Sequence, residues 1–250
     1  MATEYGADTT TTNGTRDKRP VVCVLCGASS GTSPLHLEAA RALAHALHKN
    51  GMKLVYGGGT IGLMGEVARA MVSLAGKDAV HGIIPRIMVK QEAGAAKSHN
   101  DESQIIAPDG KLKPWTASGP RNVLDENIYG RTTIVDDIFT RKRMMAEEVA
   151  NGGPGGGFVA LSGGWGTFEE LVEVLTWNQL GVHDRGIVVY NIENFWDHLL
   201  KWVDTSVRTG FMHSEDSQIL VEACSAEEVI ERLRNYKTNE SRFKLNWTQI

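Results

Sequence analysis

The sequence has few cysteines, no basic tract and no long apolar run, and each absence narrows the class of protein. Three cysteines among 250 residues cannot build a disulfide framework, so we expect a reducing compartment. Lysine and arginine number 26 against 30 acidic residues, and this balance gives no electrostatic reason to expect nucleic-acid binding. Because no apolar run approaches transmembrane length, we expect no membrane association and a cytoplasmic protein.

The ends of the chain differ from its middle. Residues 1–19 lack an apolar signal core and include four consecutive threonines, which predicts a disordered tail rather than a targeting peptide. The predicted nucleotide-binding domain covers residues 20–236, and residues 237–250 form a C-terminal tail. A chain of 250 residues is long enough for one α/β domain with a sizeable core.

Apolar runs alternate with segments of helical periodicity through the domain. This alternation predicts an α/β fold, a doubly wound parallel sheet of the Rossmann-like kind with helices on both faces. Residues 91–130 break the pattern, because they are polar, contain three prolines and show no sustained period, so we predict an irregular insertion there. The predicted strands are residues 21–25, 53–56, 79–84, 132–135, 158–161 and 187–190.

Two glycine-rich loops each follow a predicted strand and precede a predicted helix. The first covers residues 57–62 (GGGTIG) and the second residues 162–167 (SGGWGT). Such a turn presents free backbone N–H groups and the positive end of a helix dipole, which favour a phosphate. Two such loops predict a phosphorylated ligand, such as a nucleotide, held from two sides. With the loop after the first strand, the predicted binding residues are Gly27, Ser29, Gly58, Gly59, Thr60, Gly163, Gly164, Gly166 and Thr167.

The first glycine loop also matches the dinucleotide fingerprint G-x-G-x-x-G, which alone is a weak signal. A dinucleotide site also needs an acidic residue at the end of the next strand, where it binds a ribose hydroxyl. Asp78 has about the right spacing, but it precedes the strand predicted at residues 79–84. NAD binding is therefore disfavoured.

Residues 27–31 match the nucleophile-elbow pattern, with Ser29 at the centre. Asp204 and His213 could supply the acid and the base of an esterase. However, no lipase-type oxyanion motif is visible, and the elbow would lie on the first strand. A loop that contacts phosphate or nucleotide is the better interpretation.

Cys23 lies in the first predicted strand and Cys26 directly follows it, and together they match the C-x-x-C pattern. Residues three apart in a strand point to opposite faces, which excludes a disulfide or a shared metal and predicts core packing. The eight histidines show neither an HExxH pattern nor metal-ligand spacing. We therefore predict no structural metal.

Two charged positions have both a structural and a functional interpretation. Thr167 and Glu170 fit a capping box, in which each side chain satisfies a free backbone N–H of the other residue. Alternatively, Glu170 is a carboxylate at the mouth of a phosphate loop that handles ribose hydroxyls or activates water. The basic triplet at residues 141–143 is either a solvated helix face or brings Arg141 to the ligand region.

Together these segments resemble the Lonely Guy (LOG) phosphoribohydrolases, a family once misannotated as lysine decarboxylases. Residues 56–65 (YGGGTIGLMG) look like the first family signature, and residues 163–170 (GGWGTFEE) look like the PGGxGTxxE signature. Residues 26–29 resemble the opening loop, and residues 176–181 the usual continuation. The resemblance extends over residues 21–235.

The resemblance implies hydrolysis of the N-glycosidic bond in cytokinin riboside 5′-monophosphates, with AMP as a possible alternative substrate. It assigns catalysis to Arg141 and Glu170, and Lys142 completes an Arg-Lys pair that contacts the substrate. It implies no cofactor, and a homodimer or higher homo-oligomer with sites near the subunit interface. A non-catalytic carrier of a nucleotide or phospho-cofactor on the same fold is the alternative function.

The chain departs from the family motifs at two places. Ser162 stands where the second signature has proline. Ile138 and Phe139 stand where the family's MHxRK motif has methionine and histidine. These departures, together with the insertion at residues 91–130, concern substrate preference more than the type of reaction.

Overall fold

The computed structural model describes residues 18–89, 124–238 and 243, and the backbone of residues 104–106 and 112–114. Its principal sheet has seven parallel strands. They are β1 (Val21–Leu25), β2 (Lys53–Tyr56), β3 (Val80–Pro85), β6 (Arg131–Val135), β7 (Gly157–Ala160), β8 (Gly186–Tyr190) and β9 (Leu220–Ala223). The helices are α1 (Pro34–Lys49), α2 (Gly62–Ala75), α3 (Glu126–Tyr129), α4 (Ile138–Asn151), α5 (Trp165–Gln179), α6 (Asp197–Arg208) and α7 (Ala226–Asn235).

The strand order in the sheet is β6-β3-β2-β1-β7-β8-β9. The chain therefore winds outward in one direction from β1 to β6 and in the other from β7 to β9. This arrangement confirms the doubly wound parallel sheet. The topological switch point lies between β1 and β7, and in such sheets the crevice at the carboxyl ends of the strands is where ligands bind.

The side chains of β1 enter two separate cores on opposite faces of the sheet. Val22 and Cys26 pack in the core that contains residues of α1, α2 and α7. Cys23 and Leu25 pack in the core that contains residues of α4, α5 and α6. The prediction that Cys23 and Cys26 are core residues on opposite faces is therefore confirmed.

Short polar side chains cap the first turns of several helices. Ser33 precedes Pro34 and accepts a hydrogen bond from a first-turn N–H of α1. Asp137 caps α4 by accepting from the N–H of Thr140 at 2.8 Å. These caps satisfy backbone donors that have no partner inside the helix.

The capping box, one of the two interpretations of Thr167 and Glu170, does not form in α5. The N-cap residue of α5 is Gly164, with no side-chain hydrogen bond, and Thr167 is already the third residue of the helix. The helix starts earlier than the capping box required because the two residues before Thr167, Trp165 and Gly166, adopt helical geometry. The carboxylate of Glu170 is consequently available for another partner.

Two parts of the domain were not anticipated. The edge strand β9 escaped prediction because Glu222 interrupts the apolar run of its four residues. An antiparallel pair, β4 (Gln104–Ile106) and β5 (Leu112–Pro114), and helix α3 also lie within the stretch predicted as irregular. The remainder of that stretch between residues 90 and 123 lies outside the described residues.

The predicted tails fall mostly outside the described residues. Residues 1–17 are not described, whereas the carbonyl of Arg19 accepts a hydrogen bond from Gly153 N–H at 3.1 Å. Of the predicted tail 237–250, only residues 237, 238 and 243 are described, and Phe243 N–H donates to the Gln179 carbonyl at 3.1 Å. In the ranges given above, no helix is both long and apolar enough to cross a membrane.

Candidate active site

The loops after β1 and β7 meet at the switch point. The N–H of Gly27 donates to the carbonyl of Ser162 at 3.0 Å. A Cβ on Gly27 would lie 3.2 Å from the Cα of Gly163, tighter than most contacts in proteins. A larger residue at position 27 would therefore push the second glycine loop away from the first strand.

The first glycine loop is buried, and the N-terminus of α2, which follows it, donates hydrogen bonds within the protein. The Gly27 carbonyl accepts hydrogen bonds from the N–H groups of Leu63 and Met64, at 3.1 and 3.3 Å. Gly62 has a φ of +58°, and a Cβ there would lie 2.4 Å from the backbone of Ala28. The first-turn donors of α2 are thus partly occupied by the protein, which indicates a packing role for this loop.

A buried cluster of charged side chains makes a hydrogen bond to the first glycine loop. Arg69 donates through Nη1 to the carbonyl of Thr60 at 3.3 Å and through Nη2 to Glu66 Oε2 at 2.7 Å. The second oxygen of Glu66 accepts from Nε of Arg41. Glu66 is only 2% exposed. Sequence reasoning missed this cluster because Glu66 and Arg69 lie among the apolar positions of α2, and Arg41 lies on a different helix, α1.

The second glycine loop, in contrast, is open. Gly164 and Gly166 are exposed, and in the described part of the chain no side chain caps α5. The first bond of the helix runs from Phe168 N–H to the Gly164 carbonyl, so the N–H groups of the preceding first-turn residues have no partner within the helix. Thr167 is buried, and its hydroxyl lies against Gly163, where a Cβ would come within 2.1 Å of Oγ1. This helix end is therefore suited to an anion.

Arg141 and Glu170 form an ion pair beside this open helix end. Arg141 lies in the first turn of α4, and its Nη2 donates to Oε1 of Glu170 on α5. The two side chains are 9% and 12% exposed. The guanidinium also reaches the end of β2, where Nη1 would lie 3.4 Å from a Cβ on Gly57. The pair thus connects two helices across the carboxyl edge of the sheet.

The Glu170 carboxyl group is largely shielded from water and is paired with Arg141. Burial raises the pKa of Glu170, and the positive charge of Arg141 opposes that rise. A carboxylate held in this way can stabilise a developing positive charge more strongly than one in bulk water. The pair is therefore equipped for electrostatic catalysis.

The other predicted residues occupy different positions. The Lys142 ammonium donates to Glu169 and Glu173 of α5, at 2.7 and 3.0 Å. Ser29 is exposed, and its hydroxyl accepts from the N–H of Gly31 at 3.3 Å. Gly58, Gly59 and Thr60 are buried.

Asp78 precedes β3 and so lies at the opposite edge of the sheet from the crevice. Across the described ranges, no group of three His, Cys, Asp or Glu residues is arranged to hold a metal ion.

A histidine that sequence reasoning did not single out also reaches the second glycine loop. His36, near the start of α1, contacts the hydroxyl of Ser162 at 3.0 Å. Nothing in the spacing of these residues could have revealed the contact, because 126 positions separate them.

Comparison with known proteins identifies relatives over most of the chain. The family model described as "Possible lysine decarboxylase" matches residues 64–233. The chain is 43% identical over 230 residues to the bifunctional cytokinin biosynthesis protein of Fusarium pseudograminearum. That match covers 92% of this chain but 43% of the fungal protein, so the chain spans less than half of that relative.

A plant protein and a solved structure extend the comparison. The cytokinin riboside 5′-monophosphate phosphoribohydrolase LOG2 of Arabidopsis thaliana is 34% identical over 228 residues, which are 90% of this chain and 89% of the plant protein. The molybdenum cofactor carrier protein of Chlamydomonas reinhardtii superposes with a TM-score of 0.52 at 16% identity, covering 85% and 94% of the two chains. At that identity the likeness concerns the fold alone.

Proposed function

Because the chain belongs to the LOG family, whose model bears the older description of a possible lysine decarboxylase, we propose that it hydrolyses the N-glycosidic bond of cytokinin riboside 5′-monophosphates. The products are the free N6-substituted adenine and ribose 5-phosphate, and AMP is an alternative substrate. The names of the plant relatives support this substrate class. The observation that carries the proposal is the Arg141–Glu170 pair beside the uncapped N-terminus of α5.

In the proposed complex, the 5′-phosphate binds at the second glycine loop. The backbone donors of Gly163, Gly164 and Gly166 and the hydroxyl of Thr167 surround this helix end. Its dipole and free N–H groups favour an anion without any bound cation. Gly58, Gly59 and Thr60 of the buried first loop shape the floor of the crevice, and Gly27 keeps the two loops together.

The proposed reaction is a hydrolysis in which water adds to the anomeric carbon and the purine leaves with a proton. Positive charge develops on the ribose ring as the bond to the base breaks, and the Glu170 carboxylate stabilises that charge. The same carboxylate can orient ribose hydroxyls or the attacking water. Arg141 keeps Glu170 ionised and oriented, and its planar guanidinium can hold the sugar or the phosphate in a fixed geometry. No cofactor takes part in these steps.

We also propose that the active protein is a homodimer or a higher homo-oligomer. Five large apolar side chains are exposed on helices α4 and α5, and a concentration of exposed apolar residues favours an interface. Because these helices carry Arg141 and Glu170, a second copy docked there would border the site. The exposed residues are Ile138, Phe139, Trp165, Phe168 and Val172.

We further propose a cytoplasmic location and a single catalytic domain. A cytoplasmic location is supported by Cys23, Cys26 and Cys224, all of which are free thiols. The division into one catalytic domain at residues 20–236 with two flanking tails is supported by the single principal sheet.

The purified protein should release base when it is incubated with AMP and with N6-isopentenyl-AMP. Chromatography should find free base and ribose 5-phosphate in equal amounts, and the ratio of the two rates reports the preference for the N6 substituent. If calorimetry detects nucleotide binding but no base appears with either substrate, the protein is a carrier and the hydrolase proposal fails.

A further inference from the structure

Three side chains join the loops that follow three neighbouring strands. Ser162 follows β7, His36 lies on α1 after β1, and Glu193 lies in the turn after β8. The Ser162 hydroxyl is 3.0 Å from His36 Nδ1, and His36 Nε2 is 3.5 Å from Glu193 Oε2. We refer to these three residues as the Ser162–His36–Glu193 cluster. It has no part in the mechanism described above.

His36 makes a hydrogen bond with Ser162 and an ion-pair contact with Glu193, and the second contact indicates the direction of the first. An ionised carboxylate can only accept, so the proton of a neutral imidazole belongs on Nε2, facing Glu193. Nδ1 is then the acceptor, and the Ser162 hydroxyl donates to it. His36 is also well enclosed, with a side chain 13% exposed and its ring 6.2 Å from that of Phe195 in an edge-on arrangement.

The turn that carries Glu193 is held in an unusual conformation. Glu193 and Asn194 both have positive φ values, 50° and 60°, which cost energy for residues other than glycine. Asn191 anchors this turn by accepting from Trp196 N–H and donating to Asp197, each at 2.8 Å. These local hydrogen bonds hold a strained turn, and that turn places the Glu193 carboxylate 3.5 Å from His36 Nε2.

The Ser162–His36–Glu193 cluster includes Ser162, the residue that begins the second glycine loop. The carbonyl of Ser162 accepts from Gly27, and its hydroxyl is bound by His36, so Ser162 is fixed on two sides. The next peptide unit is that of Gly163, which has no side chain to restrict it. His36 approaches this loop with α1, whereas Arg141 and Glu170 approach it with helices that pack on the other face of the sheet.

We propose that His36, oriented by Glu193, is a positioning residue that holds Ser162 and thereby keeps the second glycine loop in the geometry that binds the substrate's phosphate. This inference rests on the proposed function, because it assigns the phosphate to that loop. It implies that loss of the His36 contact weakens phosphate binding while the chemistry at Arg141 and Glu170 continues. Ser162 stands where the family signature has proline, so a hydrogen bond here supplies rigidity that a proline ring would supply covalently.

The test compares His36→Leu, His36→Asn and the control His45→Leu, which replaces an exposed histidine on the same helix. His36→Leu should raise the KM for AMP about fivefold to tenfold, the effect of one hydrogen bond, with kcat within twofold of wild type. His36→Asn places an amide oxygen near the position of Nδ1 and should recover most of the loss. His45→Leu should match wild type. Circular dichroism confirms that each variant is folded.

A double-mutant cycle with Ser162→Ala isolates the contact. If His36 acts through Ser162, adding His36→Leu to Ser162→Ala should change KM by less than twofold. Additive effects, an effect on kcat alone, or failure of His36→Asn to recover binding would each overturn the proposal.

Binding of ribose 5-phosphate, measured by calorimetry, separates this inference from the proposed function. If the wild-type protein releases no base but His36→Leu weakens ribose 5-phosphate binding, the positioning role stands and the hydrolase proposal fails. If base is released and the two proteins bind ribose 5-phosphate equally well, the hydrolase proposal stands and the positioning role fails.

Discussion

Nη2 of Arg141 donates to Oε1 of Glu170, and this bond joins the first turn of α4 to the first turns of α5 at the carboxyl edge of the sheet. The guanidinium can reach this place because Gly57, at the end of β2, leaves space beside it. One ion pair thus depends on a strand terminus and two helices that are far apart in the chain.

Replacing Glu170 by glutamine should lower kcat about a thousandfold, because the amide keeps the shape but cannot stabilise a positive ribose ring. KM should change little, since the phosphate contacts lie on the loop. The rate of base release from AMP measures the effect. The adjacent Glu169→Gln is the matched control, because that carboxylate is exposed and bonds Lys142. Equal losses in both variants would contradict the assignment.

Activity should fall on acidification at a higher pH than an ordinary glutamate would predict. Burial raises the pKa of Glu170, with Arg141 opposing the rise, and the proposed mechanism needs the ionised carboxylate. The active form therefore exists only above this raised pKa and is lost as the pH falls through it. Carbon-13 NMR of the carboxyl groups, assigned by comparison with Glu170→Gln, measures the titration directly. A midpoint at or below the usual range for glutamate would refute this prediction.

Gly163→Ala should destabilise the protein by about 1 to 3 kcal/mol, the cost of forcing an overpacked contact. The new Cβ would lie 2.1 Å from Thr167 Oγ1 and 2.9 Å from the Gly27 nitrogen. Gly166→Ala is the control, since no atom lies within 4 Å of a Cβ there. Urea unfolding should show the loss for position 163, with position 166 unchanged or more stable. Equal stability of the two variants would mean that the loop relaxes freely.

Removal of the buried carboxylate of Glu66 should lower the free energy of unfolding. Glu66→Gln leaves Arg69 and Arg41 without their shared negative partner in the protein interior, at an expected cost of about 3 kcal/mol. Glu147→Gln breaks the exposed pair with Arg143 on α4 and should cost less than about 0.5 kcal/mol. Urea denaturation of the two variants provides the comparison. A small loss at Glu66 would indicate that its buried cluster is well hydrated.

The oligomer proposal predicts that a charge on the apolar surface of α5 dissociates the protein. Val172→Glu should reduce the mass measured by light scattering to that of one chain, because an ionised carboxylate cannot be buried in an apolar interface at low cost. Phe211→Glu replaces another exposed apolar residue, outside α4 and α5, and should leave the assembly intact. A monomeric wild-type protein, or an assembly that survives Val172→Glu, would contradict the proposal.

Most strands and helices could be predicted from the sequence because each is indicated by a pattern among neighbouring residues. An apolar run such as Val21–Leu25 predicts a strand buried on both faces, and Ser33 followed by Pro34 predicts the start of a helix. The edge strand β9 was missed because Glu222 interrupts the apolar run of its four residues. The capping box failed because the motif letters do not specify at which residue α5 begins.

The sequence by itself determined the alternation of strands and helices and the two glycine loops that follow strands, since hydrophobic period and turn chemistry depend on near neighbours. Only the tertiary structure decided that the first loop is packed and the second is open, because this depends on the Gly27 carbonyl reaching α2. It likewise decided that Arg141 meets Glu170 and that His36 meets Ser162. These contacts arise where a parallel sheet aligns the carboxyl ends of distant strands, and no spacing along the chain encodes that alignment.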